Sequence, residues 1–112
     1  MFWSQTIKKK ITISPLNGQF ILKDDKILLG KSDEKNDEFD ILLFAYRDVE
    51  KYSIPSNIKI ISSNAFDYCK KLTKVEIEPN SNLHIIGKNA FKETKIREIC
   101  IQSNVSKIFA LI

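Results

Sequence analysis

The sequence predicts a mostly β protein: a solenoid of short parallel strands and single-turn helical segments, capped at its N-terminal end by a β-hairpin. Three observations point there. The chain repeats itself, "SNIKIISSNAF" at 56–66 returning as "SNLHIIGKNAF" at 81–91. The repeat recurs at a period of 23 and then 24 residues, from Val49 to Leu72 to Ile96, within the range where units cannot bury their apolar faces alone and must stack. Each unit opens with alternating apolar and polar residues, Tyr52-Ser53-Ile54, Val75-Glu76-Ile77 and Ile99-Cys100-Ile101, the period of a half-buried strand.

The 112 residues, 43% hydrophobic, fit one domain that buries roughly two-thirds of its unfolded surface. The organisation divides at residues 47 and 48: 1–47 as a hairpin and capping region, 48–112 as two full repeats and a truncated third. The start, "MFWSQTIKKKITISPL", lacks the apolar core of a secretory signal. "GQFILKDDKILLGK" reads as a hairpin, Phe20–Leu22 and Ile27–Leu29 flanking an Asp24-Asp25 turn, although Asp-Asp is a weaker turn signal than Asn-Gly. "SDEKNDEFD", 32–40, is a charged loop, and "ILLFAY", 41–46, is the longest apolar run, far too short to span a bilayer.

Within the repeats, a second apolar set, Ile58/Leu83/Val105 and Ile61/Ile86/Ile108, keeps register after "EPNS" replaces "PS". A helix over 55–70 competes for this stretch, since Ile58, Ile61, Ala65 and Cys69 fall at helical spacing. The second copy disfavours it, because Gly87 and the β-branched Ile85-Ile86 would sit in mid-helix. A single helical turn around "NAFDYC" and "NAFKET", capped in the first copy by Ser62 or Ser63, is more economical.

The order L-x-x-V-x-I-P followed by V-x-x-I-G-x-x-A-F-x-x-C-x-x-L resembles the leucine-rich repeat of the BspA-like surface-antigen family. Leu72, Val75, Ile77, Leu83, Ile86, Gly87, Ala90 and Phe91 match it, as do Val49, Ile54, Pro55, Ile58, Ile61, Ala65, Phe66 and Cys69. Departures are Ser62 for the glycine, Thr94 for the cysteine, and Glu78 and Gln102 for the proline. Phe44 precedes Val49 by five residues as Phe91 precedes Ile96, the spacing a degenerate preceding unit would show. The resemblance implies a leucine-rich repeat solenoid with a parallel sheet on one side, used in adhesion to host or neighbouring-cell proteins at the cell surface. A cytoplasmic location is the alternative, given the missing export signal.

Other constellations favour structural readings. Asp33, Asp37 and Asp40 suggest calcium, but the EF-hand register puts Glu38 where Gly is needed and Phe44 where Glu should close the site. Cys69, Cys100 and His84 could be a nucleophile and base or three metal ligands; the repeat frame instead points Cys69 inward and Cys100 outward. There is no Gly-x-Ser-x-Gly elbow, P-loop or paired-His motif, so neither catalysis nor a cofactor is expected. Net charge +4 comes from sixteen Lys and two Arg; few arginines argue against nucleic-acid readout. Lys8–Lys10 suggest a polyanion or membrane surface, or equally an edge strand guarded by lysines. Asn104-Val105-Ser106 is a glycan acceptor only in a secreted protein.

What remains for function is the solvent side of the repeat strands, where extended repeat proteins bind. Alternation selects Lys51, Lys74 and Glu98 as one row and Ser53, Glu76 and Cys100 as the next, with Lys74 and Glu98 placed to pair across strands. The expectation is a non-enzymatic protein-binding module. Alternatives are a lysine-based polyanion or membrane binder and a repeat fragment without separate activity, the truncated third copy leaving an edge prone to self-association.

Overall fold

The computed structural model describes residues 20–101 and 109–110. Lys8–Lys10, the Asn104 sequon and the end of the third repeat lie outside them, and Cys100 enters through its backbone alone. Nine strands and no helix occur among the described residues.

The hairpin forms where expected. β1 (Phe20–Lys23) and β2 (Ile27–Gly30) pair antiparallel, with Lys23 opposite Ile27. Asp24 and Asp25 both take positive φ, 55° and 56°, the pairing of angles whose twist matches flanking strands, and the Lys26 N–H closes the turn on the Lys23 carbonyl at 3.0 Å. β3 (Ile41–Ala45) then pairs antiparallel with β2 on one side and parallel with β5 (Ile60–Ile61) on the other. β5 pairs parallel with β7 (Ile85–Ile86), and β7 with β9 (Phe109–Ala110). This sheet of six runs β1-β2-β3-β5-β7-β9.

The second sheet holds the predicted repeat strands, β4 (Lys51–Ile54), β6 (Lys74–Ile77) and β8 (Cys100–Ile101), all parallel. Pairing in both sheets advances one repeat at a time: Tyr52 opposes Val75 in one, Ile61 opposes Ile86 in the other. Alternation marks one strand per repeat; the second ladder, two residues per repeat, is a finding of the structure. Among the described residues the hairpin extends the six-stranded sheet only.

The core lies between the sheets. Ile54, Val75 and Ile77 meet Ile61 and Ile86, with Ile58, Leu83, Leu72, Val49, Ala65, Ala90 and Cys69 filling the corners, all buried. Phe66 is fully buried and stacks on half-buried Phe91 with ring centres 5.1 Å apart. The repeated apolar positions of the first two copies are therefore the core positions.

The "NAFDYC" and "NAFKET" segments are turns, not helices. Asn64, Tyr68, Asn89 and Glu93 have φ between 58° and 63°, outside the helical region, and the amides alternate between two kinds of partner. Ala65, Asp67 and Cys69 donate three residues back, to Ser62, Asn64 and Phe66. Asn64, Phe66 and Tyr68 donate across to Lys88, Ala90 and Lys92 of the next repeat, at 3.1, 2.7 and 2.7 Å. A helix would use every amide internally and leave none to join the repeats, so Ser62 and Ser63 cap nothing.

Gly87 belongs to the same stacking. A Cβ placed there would come within 2.4 Å of the Ser63 nitrogen and 2.8 Å of the Ser62 carbonyl carbon. Its N–H donates to the Ile61 carbonyl at 2.8 Å. The glycine is thus a contact between backbones of adjacent repeats.

Two alignments need correction. Opposite Ile85–Ile86 stand Phe109–Ala110, so Ala110, and not Ile108, is the counterpart of Ile86. The third copy keeps the longer spacing of the second: Ile101 to Ala110 equals Ile77 to Ile86, whereas Ile54 to Ile61 is two residues shorter. Upstream, the Ala45 N–H donates to the Ala65 carbonyl as the Phe66 N–H does to Ala90. A preceding unit is therefore present in backbone terms, but Ala45, not Phe44, holds its place.

Candidate functional site

The β4-β6-β8 sheet places the predicted rows side by side. Lys51 opposes Lys74, Ser53 opposes Glu76, and Glu76 opposes Cys100. Lys51, Ser53 and Lys74 are exposed and Glu76 is half-buried, while Ile54, Val75 and Ile77 point into the core. Glu98 is exposed but precedes β8. The expected cross-strand pair between Lys74 and Glu98 is replaced by one along a strand: the Lys74 ammonium lies 4.0 Å from the Glu76 carboxylate.

Two shallow concavities lie on this face. One, about 380 Å³, is lined by Lys51, Tyr52, Ser53, Lys74 and Glu76. The other, about 390 Å³, is lined by Thr73, Lys74, Lys95, Arg97 and Glu98. Lys74 belongs to both. Sequence reasoning passed over Thr73, Lys95 and Arg97, yet a signal existed: Arg97 follows Lys74 by the same 23 residues that separate Lys74 from Lys51. Alternation was carried through a third strand drawn too long.

Glu78 stands where the first repeat has Pro55. Its N–H donates to the Ile54 carbonyl at 3.4 Å, and its carboxylate accepts the Ser56 N–H at 3.2 Å and the Ser53 hydroxyl at 3.5 Å, so the departure from proline supplies three links between repeats. A third concavity, about 290 Å³, lies between the hairpin and β4 and is lined by Asp24, Lys26, Ile27, Val49, Glu50, Lys51 and Tyr52. The Tyr52 hydroxyl has no hydrogen-bond partner among the described residues. Burial, reinforced by the negative charges of Asp24 and Glu78, pushes it up to about 12.

The remaining chemistry-bearing residues are occupied structurally. Asp40, 1% exposed, accepts from the Ser32 N–H (2.8 Å), the Ser32 hydroxyl and the Asn36 amide (3.1 Å), with Lys59 at 3.6 Å. Burial alone would raise its carboxyl; the Ser32 hydrogen bonds and Lys59 outweigh that and hold it below the usual value. The acidic loop therefore folds around one of its own carboxylates. Among the described residues no cluster of three or more metal-ligating side chains occurs. Cys69 is fully buried, its thiol 3.4 Å from the Tyr46 carbonyl, and burial pushes it up despite Arg47 nearby. His84 is exposed, with Nδ1 3.1 Å from the Asn82 carbonyl.

A family model described as "BspA type Leucine rich repeat region (6 copies)" matches residues 38–110, more than half of the chain. The chain belongs to the BspA-type leucine-rich repeat family. The match begins at Glu38, upstream of Val49, which agrees with the repeat-like pairing of β3. No curated protein and no solved structure matches the chain. A BspA-type repeat region points to a protein-binding repeat module, and the family is typically not enzymatic. Among the described residues no helix is long and apolar enough to cross a membrane.

Proposed function

We propose that this BspA-type chain is a non-enzymatic binding module whose repeats coil as a solenoid and which recognises partner proteins through the β4-β6-β8 face. Lys51, Ser53, Lys74, Glu76, Glu98 and Cys100 are the contact positions. The observation that carries the reading is the division of labour within each strand: alternate residues fill the core, while Lys51, Ser53, Lys74 and Glu76 stand in register across the repeats, with a 4.0 Å Lys74–Glu76 contact and a 3.5 Å bond from the Ser53 hydroxyl to Glu78 as their side-chain links. Parallel strands at about 4.8 Å spacing make this a continuous platform, which would lengthen with each further repeat. By family, the partner is a host or neighbouring-cell protein and the place is a cell surface.

The test compares variants of the intact chain for capture of proteins from a cell-surface extract. Ser53→Arg with Glu76→Arg should abolish capture, and Ser63→Arg with Lys88→Glu, away from this sheet, should leave it intact. Equal capture by both pairs would remove the sheet face from the function.

A further inference from the structure

Four basic side chains converge on one part of the sheet face. Lys51 lies directly opposite Lys74, and Lys74 shares a concavity with Lys95 and Arg97. Like charges on adjacent strands destabilise the pairing. Glu76 answers Lys74 weakly, at 4.0 Å with the two side chains 44% and 50% exposed. Among the described residues no carboxylate forms an ion pair with Lys51, Lys95 or Arg97. Against these four cations the two concavities set Glu76 and Glu98, and Lys51 shares the third with Asp24 and Glu50, so the positive charge that the fold does not use is concentrated at Lys74, Lys95 and Arg97.

We propose that this row selects an acidic segment of a partner protein. A carboxylate of the partner seats in the concavity of about 390 Å³ between Lys74, Lys95 and Arg97, where the guanidinium offers a paired donor edge and the ammonium groups offer point charges. The interruption by Glu76 and Glu98 favours this partner over a sulfated or phosphorylated polymer. Continuous negative charge would meet both carboxylates at close range, whereas an extended peptide can place its carboxylates between them. The inference rests on the sheet face being the binding surface and adds the chemistry of what it binds.

The experiment measures binding of a fluorescent octapeptide of alternating Glu and Gly to the intact chain. Binding should weaken steeply as salt rises from about 0.05 to 0.5 M, and Lys74→Gln with Arg97→Gln should lower affinity about tenfold at an unchanged melting temperature. Substituting Lys8, Lys9 and Lys10 by Gln should leave it unchanged. No binding of the Glu-Gly peptide, equal binding by the Lys74/Arg97 variant, loss in the Lys8–Lys10 variant, or preference for a sulfated oligosaccharide of equal charge would each overturn the proposal. The extract capture separates it from the parent reading. Capture lost in the Ser53/Glu76 variant but indifferent to salt and to Lys74→Gln with Arg97→Gln overturns the acidic-partner inference alone. Capture indifferent to every sheet-face variant overturns both.

Discussion

Gly87 and Tyr52 show how a single residue can be read from its surroundings. Gly87→Ala would drive a methyl group into the backbone at Ser62–Ser63, where no side chain can rotate away. Overpacking of this kind costs about 1–3 kcal/mol, so a urea melt should show a loss in that range and not the near-neutral result of a surface change. Tyr52→Phe runs the other way. Its hydroxyl is buried without a partner among the described residues, and deleting such a group removes a desolvation cost of about 1–3 kcal/mol. The variant should melt at or above wild type. Because the folded phenol titrates near 12, above its unfolded value of about 10, the folded state holds the proton more tightly. Wild type therefore loses stability as pH rises through about 10 to 12, and the variant loses less.

At the scale of an element, the loop over 32–40 is tied together by Asp40. Ser32 and Asn36 reach its carboxylate from within the loop, and Lys59 approaches from the next repeat. Asp40→Ala leaves these donors unpaired and should cost about 1–3 kcal/mol. Calcium should not change the melting temperature of either protein. The Asp40 carboxyl is held below its unfolded value of about 4. Its contribution is full above that pH and is lost as pH falls through the lower folded value, so the gap between wild type and variant should narrow in acid. The turns after β5 and β7 are a second case. Their amides are split between closing a turn and joining the next repeat, which makes them part of the stack and not ornaments on it.

Over the whole molecule, the repeated apolar positions gave the core because burial imposes the same demand on each copy: Ile54 and Ile77, Ile58 and Leu83, Ile61 and Ile86 all became buried. The hairpin was legible from two short apolar runs flanking Asp24-Asp25. The non-helical form of the turns after β5 and β7 was not, because Asn64 and Tyr68 at positive φ leave no periodic trace distinguishable from a helix of the same spacing. The second parallel ladder was hidden for a related reason: two residues per repeat are too few to show alternation. In the site, the registers of Lys51 with Lys74 and Ser53 with Glu76 followed from the repeat itself. The cluster of Lys74, Lys95 and Arg97 did not, since the segment before β8 leaves strand geometry and alternation no longer says which side chains share a face.

The most direct test of the central claim, that partners bind on the β4-β6-β8 face, is site-specific photo-crosslinking of the intact chain in a cell-surface extract. A photoreactive residue at position 53 or 76 should cross-link to a discrete partner protein, while the same residue at 63 or 88 should not. Cross-links arising at 63 and 88 with none at 53 and 76 would contradict the account and place binding on the turns that follow β5 and β7.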